Sequence, residues 1–479
     1  MSVDRALRLS LIIAGLGGLI LRLWVLASPA GALDADEAVV VLMAEEFTQF
    51  EPQVFFWGQH YGGSLDALVT AVFFFVTGTS VLTAKLVVVA MHAVACGLVW
   101  RIGRRVFDDR VGLVAAATAW ITSPAIIWLS TKTRGFYGSG IVVAMAIVLF
   151  VVRLTSRDPD RDEDRRDLLA VGFAAGVAWW TGPITLFVAG PAVAAGLVLR
   201  RDLWTRLWVP VGPFVLGSLP WWLFNITRGF PSLDQPTPGV ESTFVDRLDG
   251  FVGQLIPMLL GFRRLFSADW YGGPIGQVLA VVVIGGLMVA AVRFRHRSWI
   301  PLAVLVGYPV VAAVASATYY VGEPRYGYLL APMFALVAAG VAAINLRALI
   351  ALPVLALVLT SFGVAGLIER TGDNRFNFVL NSPEIEPLET AMQELGIEHA
   401  YGEYWLAYRA TAETDLTVTP MVFVRDAGLH DEVIASGTEV RVFYLGSVMA
   451  QEYKQKLRSD DLAHEIIELD DFEIVIPQG

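Results

Sequence analysis

Residues 8–37, RLSLIIAGLGGLILRLWVLASPAGALDADE, join a long hydrophobic run to a cluster of carboxylates. The apolar part, residues 8–28, is long enough to cross a bilayer core, which takes roughly 20 residues of helix. The acidic part, Asp34-Ala35-Asp36-Glu37, follows six residues later. From residue 29 to residue 82 the chain holds seven carboxylates and no Lys or Arg. These features predict a first membrane span followed by an acidic external loop.

Composition places the whole chain in the membrane class. Its 479 residues are 56% hydrophobic, with a mean hydropathy of +0.60, which is far above that of a soluble domain. A net charge of -10 argues against a nucleic-acid partner, which requires a basic surface. The single cysteine, Cys96, lies in a hydrophobic run, so a disulfide framework and a thiolate-rich metal site are both excluded.

The hydropathy pattern predicts eleven membrane-spanning helices. They lie near residues 8–28, 83–104, 111–130, 136–153, 168–181, 183–200, 207–226, 274–293, 299–318, 326–345 and 347–367. The two helices on either side of Gly182-Pro183 are short, which suggests a broken or re-entrant hairpin. Residues 8–28 also resemble a signal peptide, since Ala30-Gly31-Ala32 is similar to a cleavage site. Arg22 interrupts that long run, so an uncleaved span is favoured.

The distribution of basic residues predicts the orientation. One set of loops carries 18 Lys and Arg residues and the opposite set carries eight. Because cytoplasmic loops are enriched in basic residues, the N-terminus is expected in the cytoplasm of a plasma-membrane protein. An odd number of spans then places the C-terminus outside.

The C-terminal part differs from the rest in composition and hydropathy pattern. From about residue 370 charged residues become dense, residues 439–445 and 472–476 are typical of strands, and residues 385–395 and 447–458 show helical patterns. We therefore predict two domains. They are a membrane domain at 1–369, with a catalytic first external loop at 29–82, and a small extracytoplasmic α/β domain at 370–479.

The acidic motif allows a structural and a catalytic interpretation. Asp34 and Glu37 have the spacing of a capping box, in which the first residue caps a helix and the second bonds back to it. Asp36 has no part in such a box and would project from the first turn of a helix near residues 36–49 on the membrane surface. A carboxylate held there, partly desolvated, is suited to act as a general base.

Basic residues on the predicted outer side form a second group of candidates: Lys85, Lys132, Arg134 and Arg325, with Arg263 and Arg264 in a long loop. Each could simply extend its charged end to lipid headgroups. Because they come from separate loops on the side that basic residues avoid, we predict that Lys85, Lys132, Arg134 and Arg325 bind a phosphate.

A third group is the segment Phe56-Trp57-Gly58-Gln59-His60-Tyr61-Gly62-Gly63-Ser64-Leu65-Asp66. Its aromatic residues and glycines are compatible with an interfacial belt and a turn. Amide, imidazole and aromatic groups also line sugar pockets, so Gln59, His60 and Tyr61 are assigned to a sugar or acceptor pocket together with Glu323. No spacing of His, Cys and carboxylates is typical of a zinc site, so no protein metal site is predicted.

Four segments resemble the glycosyltransferase C (GT-C) superfamily, in particular its polyprenyl-phosphate-sugar branch, which includes protein O-mannosyltransferases and aminoarabinose transferases. They are Asp36-Glu37-Ala38 after the first span, the stretch 59–66, the second span with its basic exit at 86–107, and Arg325-Tyr326-Gly327-Tyr328-Leu329-Leu330-Ala331-Pro332. The resemblance covers about residues 5–345. The segment Tyr404-Trp405-Leu406-Ala407-Tyr408 is similar to a domain attached to some bacterial members. Lys85 and Lys132-Thr133-Arg134 depart from the commoner Arg and Ser-Arg patterns.

This resemblance implies a GT-C-like polytopic helical fold and a glycosyltransferase activity on the extracytoplasmic face. The donor would be a sugar linked to polyprenyl phosphate, and the acceptor a hydroxyl of a glycan, lipid or protein. Asp36, with Glu37 beside it, would take the acceptor's proton, and direct attack would invert the anomeric centre. No cofactor is required, although oligosaccharyltransferase relatives use a divalent ion, which Asp36 and Glu37 could hold.

Two other classes compete with the transferase. A transporter or lipid flippase would suit the helix breaks at Gly182-Pro183 and at 210–220. Such proteins normally carry charged residues within their spans, and the span centres here contain few. A non-catalytic scaffold for a cell-envelope partner is the third class, and it would not need Asp36.

The charge pattern generates a prediction about topology. A tag placed after Gly479 should be reached by protease added to intact cells from which the outer layers have been stripped, because an odd number of spans ends outside. A tag accessible only from the cytoplasm would mean that one span has been miscounted, with the Gly182-Pro183 hairpin as the first candidate.

Overall fold

The computed structural model describes residues 3–478 apart from 234–241, 266, 268, 294, 316–322 and 374–382. Within these residues the chain is mostly helical, with a two-stranded hairpin near the N-terminus and a five-stranded sheet near the C-terminus. The helical part builds one large buried apolar cluster from most of the long helices.

Helices α1–α17 precede the C-terminal sheet. They are α1 (Val3–Leu26), α2 (Ala35–Thr48), α3 (Leu65–Thr77), α4 (Val81–Val106), α5 (Asp109–Ile121), α6 (Pro124–Leu129), α7 (Tyr137–Thr155), α8 (Arg161–Thr181), α9 (Leu186–Leu199), α10 (Val211–Gly217), α11 (Leu219–Arg228), α12 (Phe244–Gly250), α13 (Ile256–Leu259), α14 (Gly273–Arg293), α15 (Arg295–Val314), α16 (Ala331–Ala342) and α17 (Leu346–Asp373). Every predicted span falls on one of these helices or on two consecutive ones, although the predicted end of the ninth span, at 318, lies outside the described residues.

Among the described residues, five helical segments are long and apolar enough to cross a membrane. They are Val3–Leu26, Val81–Val106, Tyr137–Thr155, Pro324–Ala342 and Leu346–Thr371. Further apolar helices are shorter, partly because proline divides them: α6 begins at Pro124 after Ser123, and α11 has Pro220 in its first turn. The chain is therefore a multi-pass membrane protein, and eleven as the number of spans stays a prediction.

Arg22 lies fully buried inside the first span. Its guanidinium donates to Ser130 Oγ at 2.9 Å and to the carbonyl oxygens of Gly18 and Trp120 at 2.9 and 2.8 Å. It also lies over the Trp120 ring, 3.6 Å from the centroid. A buried charge in a span needs such partners, so Arg22 fastens α1 to the chain around α5 and α6.

Helix α2 begins just beyond the first span and packs in a second apolar cluster. This cluster contains α3 residues and part of the hairpin, whose strands β1 (Phe55–Phe56) and β2 (Gln59–Gly63) are antiparallel. It also contains Tyr408, from the far end of the chain. The predicted helix near 36–49 is thus present, and Tyr408 from the C-terminal segment packs against it.

The C-terminal segment contains strands β3 (His399–Gly402), β4 (Thr417–Pro420), β5 (Arg441–Tyr444), β6 (His464–Glu468) and β7 (Phe472–Pro477), and helices α18 (Glu386–Glu394), α19 (Tyr404–Glu413), α20 (Ala427–Ser436) and α21 (Val448–Ser459). The sheet order is β4-β3-β5-β7-β6, and β4, β3 and β5 are parallel. The predicted strands and helices of this segment are present. Helix α17 runs past the predicted domain boundary at 369, and residues 374–382 lie outside the described part.

Parallel strands place their carboxyl ends at one edge of the sheet, which is the edge where α/β folds form sites. Helix α19 begins directly after β3, and the loop 421–426 follows β4. Because α19 packs on α2, this edge faces the acidic helix.

Two glycines allow the close approach of α4 and α5. A methyl group added to Gly112 would lie 2.6 Å from the carbonyl oxygen of Trp100, and one added to Gly103 would lie 2.8 Å from Gly112 Cα. Both contacts involve backbone, which cannot rotate away as a side chain can.

Gly112→Ala is therefore expected to lower the free energy of unfolding by about 1–3 kcal/mol, the usual cost of overpacking. The control is Gly97→Ala on α4, the helix that packs against α5, where an added methyl has nothing within 4 Å and should leave stability unchanged or slightly higher. Unfolding in detergent measures both variants, and equal effects would contradict the close-packing explanation.

Candidate active site

The first turn of α2 is stabilised by its own acidic residues. The Asp34 carboxylate accepts a hydrogen bond from the Glu37 backbone N–H at 3.1 Å, and Glu37 Oε2 accepts one from the Asp34 N–H at 3.3 Å. This is the capping box that the spacing predicts, and it is confirmed. Asp36, between them, takes no part in it.

Glu37 is completely buried and holds two lysines. Its Oε1 lies 2.7 Å from Lys85 Nζ and accepts from the Thr133 N–H at 3.0 Å, while its Oε2 lies 2.8 Å from Lys132 Nζ. Lys85 belongs to α4 and Lys132 to the loop between α6 and α7. One carboxylate thus joins three segments of the chain.

Asp34 makes the next ion pair. Its Oδ2 accepts from Arg134 Nη2 at 2.6 Å and from Arg134 Nε at 3.1 Å, and Lys132 Nζ lies 3.6 Å away. Burial alone would raise the pKa of Asp34, but the charges of Arg134 and Lys132 outweigh it and hold that pKa well below the usual range. Arg134 Nη1 also lies 3.6 Å from Glu323.

Asp36 is bound by three groups that are far away in the sequence. Its Oδ2 accepts from Arg325 Nη1 at 3.2 Å, and its Oδ1 accepts from Tyr404 Oη at 2.7 Å and from Arg425 Nη2 at 3.1 Å. Burial would raise the pKa of Asp36, yet the charges of Arg425 and Arg325 prevail and lower it. Its side chain is 12% exposed, whereas those of Asp34 and Glu37 are 1% and 0% exposed. Asp36 is therefore the most solvent-exposed carboxylate of the motif.

Arg425 is held in place from several sides. Its guanidinium lies 5.1 Å from the ring centroids of both Phe56 and Tyr404. Its backbone N–H donates to Tyr408 Oη at 2.6 Å. With its amide oxygen turned towards Arg425, Gln59 accepts from Nη1 at 2.7 Å and donates to the hydroxyl of Tyr61 at 3.1 Å.

The predicted pocket residues are thus only partly brought together. Gln59 and Tyr61 lie beside Arg425, and Glu323 lies between Arg134 and Arg325, 3.6 Å and 3.9 Å from their nitrogens. His60 is exposed and packs against the rings of Phe55 and Phe224.

The four predicted phosphate ligands differ in exposure. The side chains of Lys85, Lys132 and Arg134 are at most 5% exposed and face the carboxylates of Glu37 and Asp34. The Arg325 side chain is 25% exposed. Arg325 is therefore the most accessible of these cations to a ligand.

Sequence reasoning missed Tyr404 and Arg425. The Tyr404–Tyr408 segment is aromatic-rich, and Arg425 directly follows the apolar run Met421-Val422-Phe423-Val424. Nothing in the sequence indicates that they meet Asp36, because 368 and 389 residues separate them from it.

A divalent ion does not fit the acidic residues as they stand. Among the described residues, no group of three His, Cys, Asp or Glu side chains could hold a metal ion. Both oxygens of Glu37 and both oxygens of Asp36 already accept hydrogen bonds from cationic or N–H and O–H donors. An ion between them would have to replace those donors.

Comparison with solved structures identifies the fold. No protein-family model and no curated protein sequence matches the chain. A crystal structure of ArnT from Cupriavidus metallidurans in the apo state superposes with a TM-score of 0.69 at 13% identity and covers 97% of each chain. The chain has the fold of the GT-C glycosyltransferases. The same ArnT bound to undecaprenyl phosphate gives a TM-score of 0.67 at 14% identity, over 97% of each chain.

An Archaeoglobus fulgidus oligosaccharyltransferase, solved in complex with Zn and sulfate, gives a TM-score of 0.54 at 12% identity. That match covers 94% of this chain and 69% of the oligosaccharyltransferase. At 12–14% sequence identity the similarity shows the fold alone. For the fold, it confirms the resemblance seen in the sequence.

The buried ion pairs of Glu37 generate a prediction about stability. Glu37→Gln removes the counter-charge of Lys85 and Lys132, so the free energy of unfolding should fall by about 3–5 kcal/mol, as when one partner of a buried pair is removed. Unfolding in detergent measures the change.

Glu45→Gln is the matched control, since Glu45 lies on the same helix α2 and is only partly buried. It should change stability little. Equal losses in the two variants would contradict the assigned role of Glu37.

Proposed function

We propose that this protein is a membrane glycosyltransferase that moves a sugar from a polyprenyl-phosphate donor to an acceptor hydroxyl. The fold supports the class, because the similar solved proteins are ArnT and an oligosaccharyltransferase. Undecaprenyl phosphate bound to ArnT supports a lipid phosphate as the donor's carrier. The acceptor belongs to one of three chemical groups, namely glycans, lipids or proteins.

The main support for this proposal is that the three carboxylates of the acidic motif differ in burial and in their partners. Asp34 and Glu37 are buried, cap α2 and neutralise cations, whereas Asp36 is partly open and lies beside the accessible Arg325. A carboxylate next to a cation suits transfer from a phosphate, since one group takes a proton and the other stabilises the leaving phosphate.

The proposed step balances in charge and atoms. The acceptor oxygen attacks the anomeric carbon of the sugar and loses its proton to an oxygen of Asp36. The bond between that carbon and the phosphate oxygen breaks, and its electron pair stays on the phosphate, which leaves as the lipid phosphate. Attack opposite the leaving group inverts the anomeric centre, and Arg325 stabilises the charge that develops on the phosphate.

The remaining predicted residues take supporting roles in this proposal. Lys85, Lys132 and Arg134 hold the carboxylates of α2 and keep the surroundings positive. Gln59 and Tyr61 lie close enough to Arg425 to contact a sugar, and Glu323 is placed beside Arg325. Fixed cations then do the work that a metal ion does in other transferases, and no cofactor is proposed.

The proposed reaction takes place on the outer face of the plasma membrane. Tyr404 and Arg425 contact Asp36, so the C-terminal segment and the acidic helix lie on the same side of the membrane. The excess of basic residues in the opposite loops favours a cytoplasmic N-terminus. Together these observations support an extracytoplasmic C-terminal domain.

The transporter alternative gains little from the structure. The fully buried Arg22 guanidinium donates hydrogen bonds to Ser130 and to two carbonyl oxygens. These partners are enough for a structural role, and no transported ion is required to explain the buried charge. A scaffold remains distinguishable by experiment, because it would function without the Asp36 carboxylate.

Asp36→Asn keeps the size of the side chain and removes the base, so sugar transfer should fall by about 10²-fold or more. Membrane vesicles supplied with a radiolabelled polyprenyl-phosphate sugar measure the transfer. A cell lacking the protein should also accumulate the lipid-linked sugar, and the Asp36→Asn variant should fail to reverse this.

The control is Glu45→Gln, which changes a carboxylate of the same helix outside the site and should transfer normally. Full activity of a correctly inserted Asp36→Asn protein would end the assignment of the base. A normal envelope in cells with that variant, without accumulated donor, would favour the scaffold.

A further inference from the structure

Asp36 is a weak base in the arrangement that the structure shows. Its Oδ1 accepts two hydrogen bonds, from Tyr404 and Arg425, and its Oδ2 accepts one from Arg325. A carboxylate that faces two guanidinium groups is stabilised as an anion and takes up a proton poorly. Release from one of these arginines makes it a better acceptor for the proton of the acceptor hydroxyl.

Contacts that do not involve Asp36 hold Arg425 and the backbone beside Arg325. Arg425 lies between the rings of Phe56 and Tyr404, and its backbone N–H is held by Tyr408 Oη. Arg325 is the second residue of the helical turn Pro324–Leu330, and the residue after it, Tyr326, accepts a hydrogen bond at its carbonyl oxygen from Tyr308 Oη at 2.7 Å. The pair is therefore an anion-binding site that an internal carboxylate occupies.

A phosphate is a suitable competitor for this site. It carries the same sign of charge as a carboxylate and has more oxygens to accept bonds from two guanidinium groups, which bind phosphate in a fork geometry. The side chains of Arg325 and Arg425 are 25% and 16% exposed, so a ligand has access to both.

We infer, on the basis of the proposed function, that Asp36 occupies the anion site of Arg325 and Arg425 in the resting protein and that the donor phosphate displaces it. Arg425 is then a donor-binding residue supplied by the C-terminal segment. Release of Asp36 follows donor binding, so the base becomes active only when the sugar is in place. Once the phosphate neutralises the two arginines, the lowered pKa of Asp36 rises and favours proton uptake.

Removing the Asp36 carboxylate should strengthen the binding of lipid phosphate even though it slows transfer. Asp36→Asn, which should greatly slow transfer, removes the internal competitor and should bind undecaprenyl phosphate about tenfold more tightly than the unmodified protein, the scale of one charge-assisted bond. Arg425→Gln should bind it about tenfold more weakly. The full-length protein in nanodiscs, titrated with undecaprenyl phosphate alone, measures both affinities without any transfer.

Two controls separate competition from a general change in charge. Glu323→Gln removes a carboxylate that lies 3.9 Å from Arg325 and does not bond to Arg425, so it should tighten binding clearly less than Asp36→Asn. In the double variant Asp36→Asn with Arg425→Gln, the gain from Asp36→Asn should shrink, because the two residues act on one site. Unfolding temperatures of all variants show whether each is folded.

The outcomes distinguish the inference from the proposed function. Equal affinities of the unmodified protein and Asp36→Asn, or equal tightening by Glu323→Gln, would overturn the inference and leave the transferase intact. Retained affinity in folded Arg425→Gln would remove Arg425 from the donor site and overturn the inference as well. Failure of both the unmodified protein and Asp36→Asn to bind undecaprenyl phosphate would overturn the proposed donor and, with it, the inference.

Discussion

The buried carboxylate of Glu37 is the interaction on which the site depends. It bonds within the capping box of α2, to Lys85 on α4 and to Lys132 in the loop after α6. Removing charges from water is costly, and a buried ion pair recovers that cost only when nearly every oxygen and nitrogen finds a partner. Here both oxygens of Glu37 are satisfied, so the arrangement is rigid. This rigidity fixes the first turn of α2 and thereby the position of Asp36.

The neighbouring Asp34 extends the same principle. Its ion pair with Arg134 joins the loop after α6 to the N-cap of α2, and Arg134 reaches Glu323 next to Arg325. Cations and carboxylates alternate from Lys85 to Arg425, which lowers the cost of each buried charge. The C-terminal segment completes this network of ion pairs, because its Tyr404 and Arg425 bond to Asp36. A site built in this way needs the whole fold, since no single segment supplies both the base and its cationic neighbours.

Much of the architecture could be predicted from local patterns. Long apolar runs predict the spans because a bilayer imposes their length, and the Asp34–Glu37 spacing predicts the capping box because both partners lie in one helical turn. The strands at 441–444 and 472–477 follow from short runs rich in β-branched and aromatic residues. The number of spans was less accessible, because breaks such as Ser123-Pro124 divide apolar runs into helices shorter than the bilayer.

The sequence by itself determined the membrane class, the acidic helix after the first span, and the basic residues from which the site is made. Each of these follows from residues that are close together in the chain. Only the tertiary structure decided which cation meets which carboxylate: Lys85 and Lys132 go to Glu37, Arg134 goes to Asp34, and Asp36 receives Arg325, Tyr404 and Arg425. The sequence does not show which Lys or Arg pairs with which carboxylate, because all of them carry the same charge. The pairing depends on burial and on the packing of α19 on α2, and no local sequence pattern contains either.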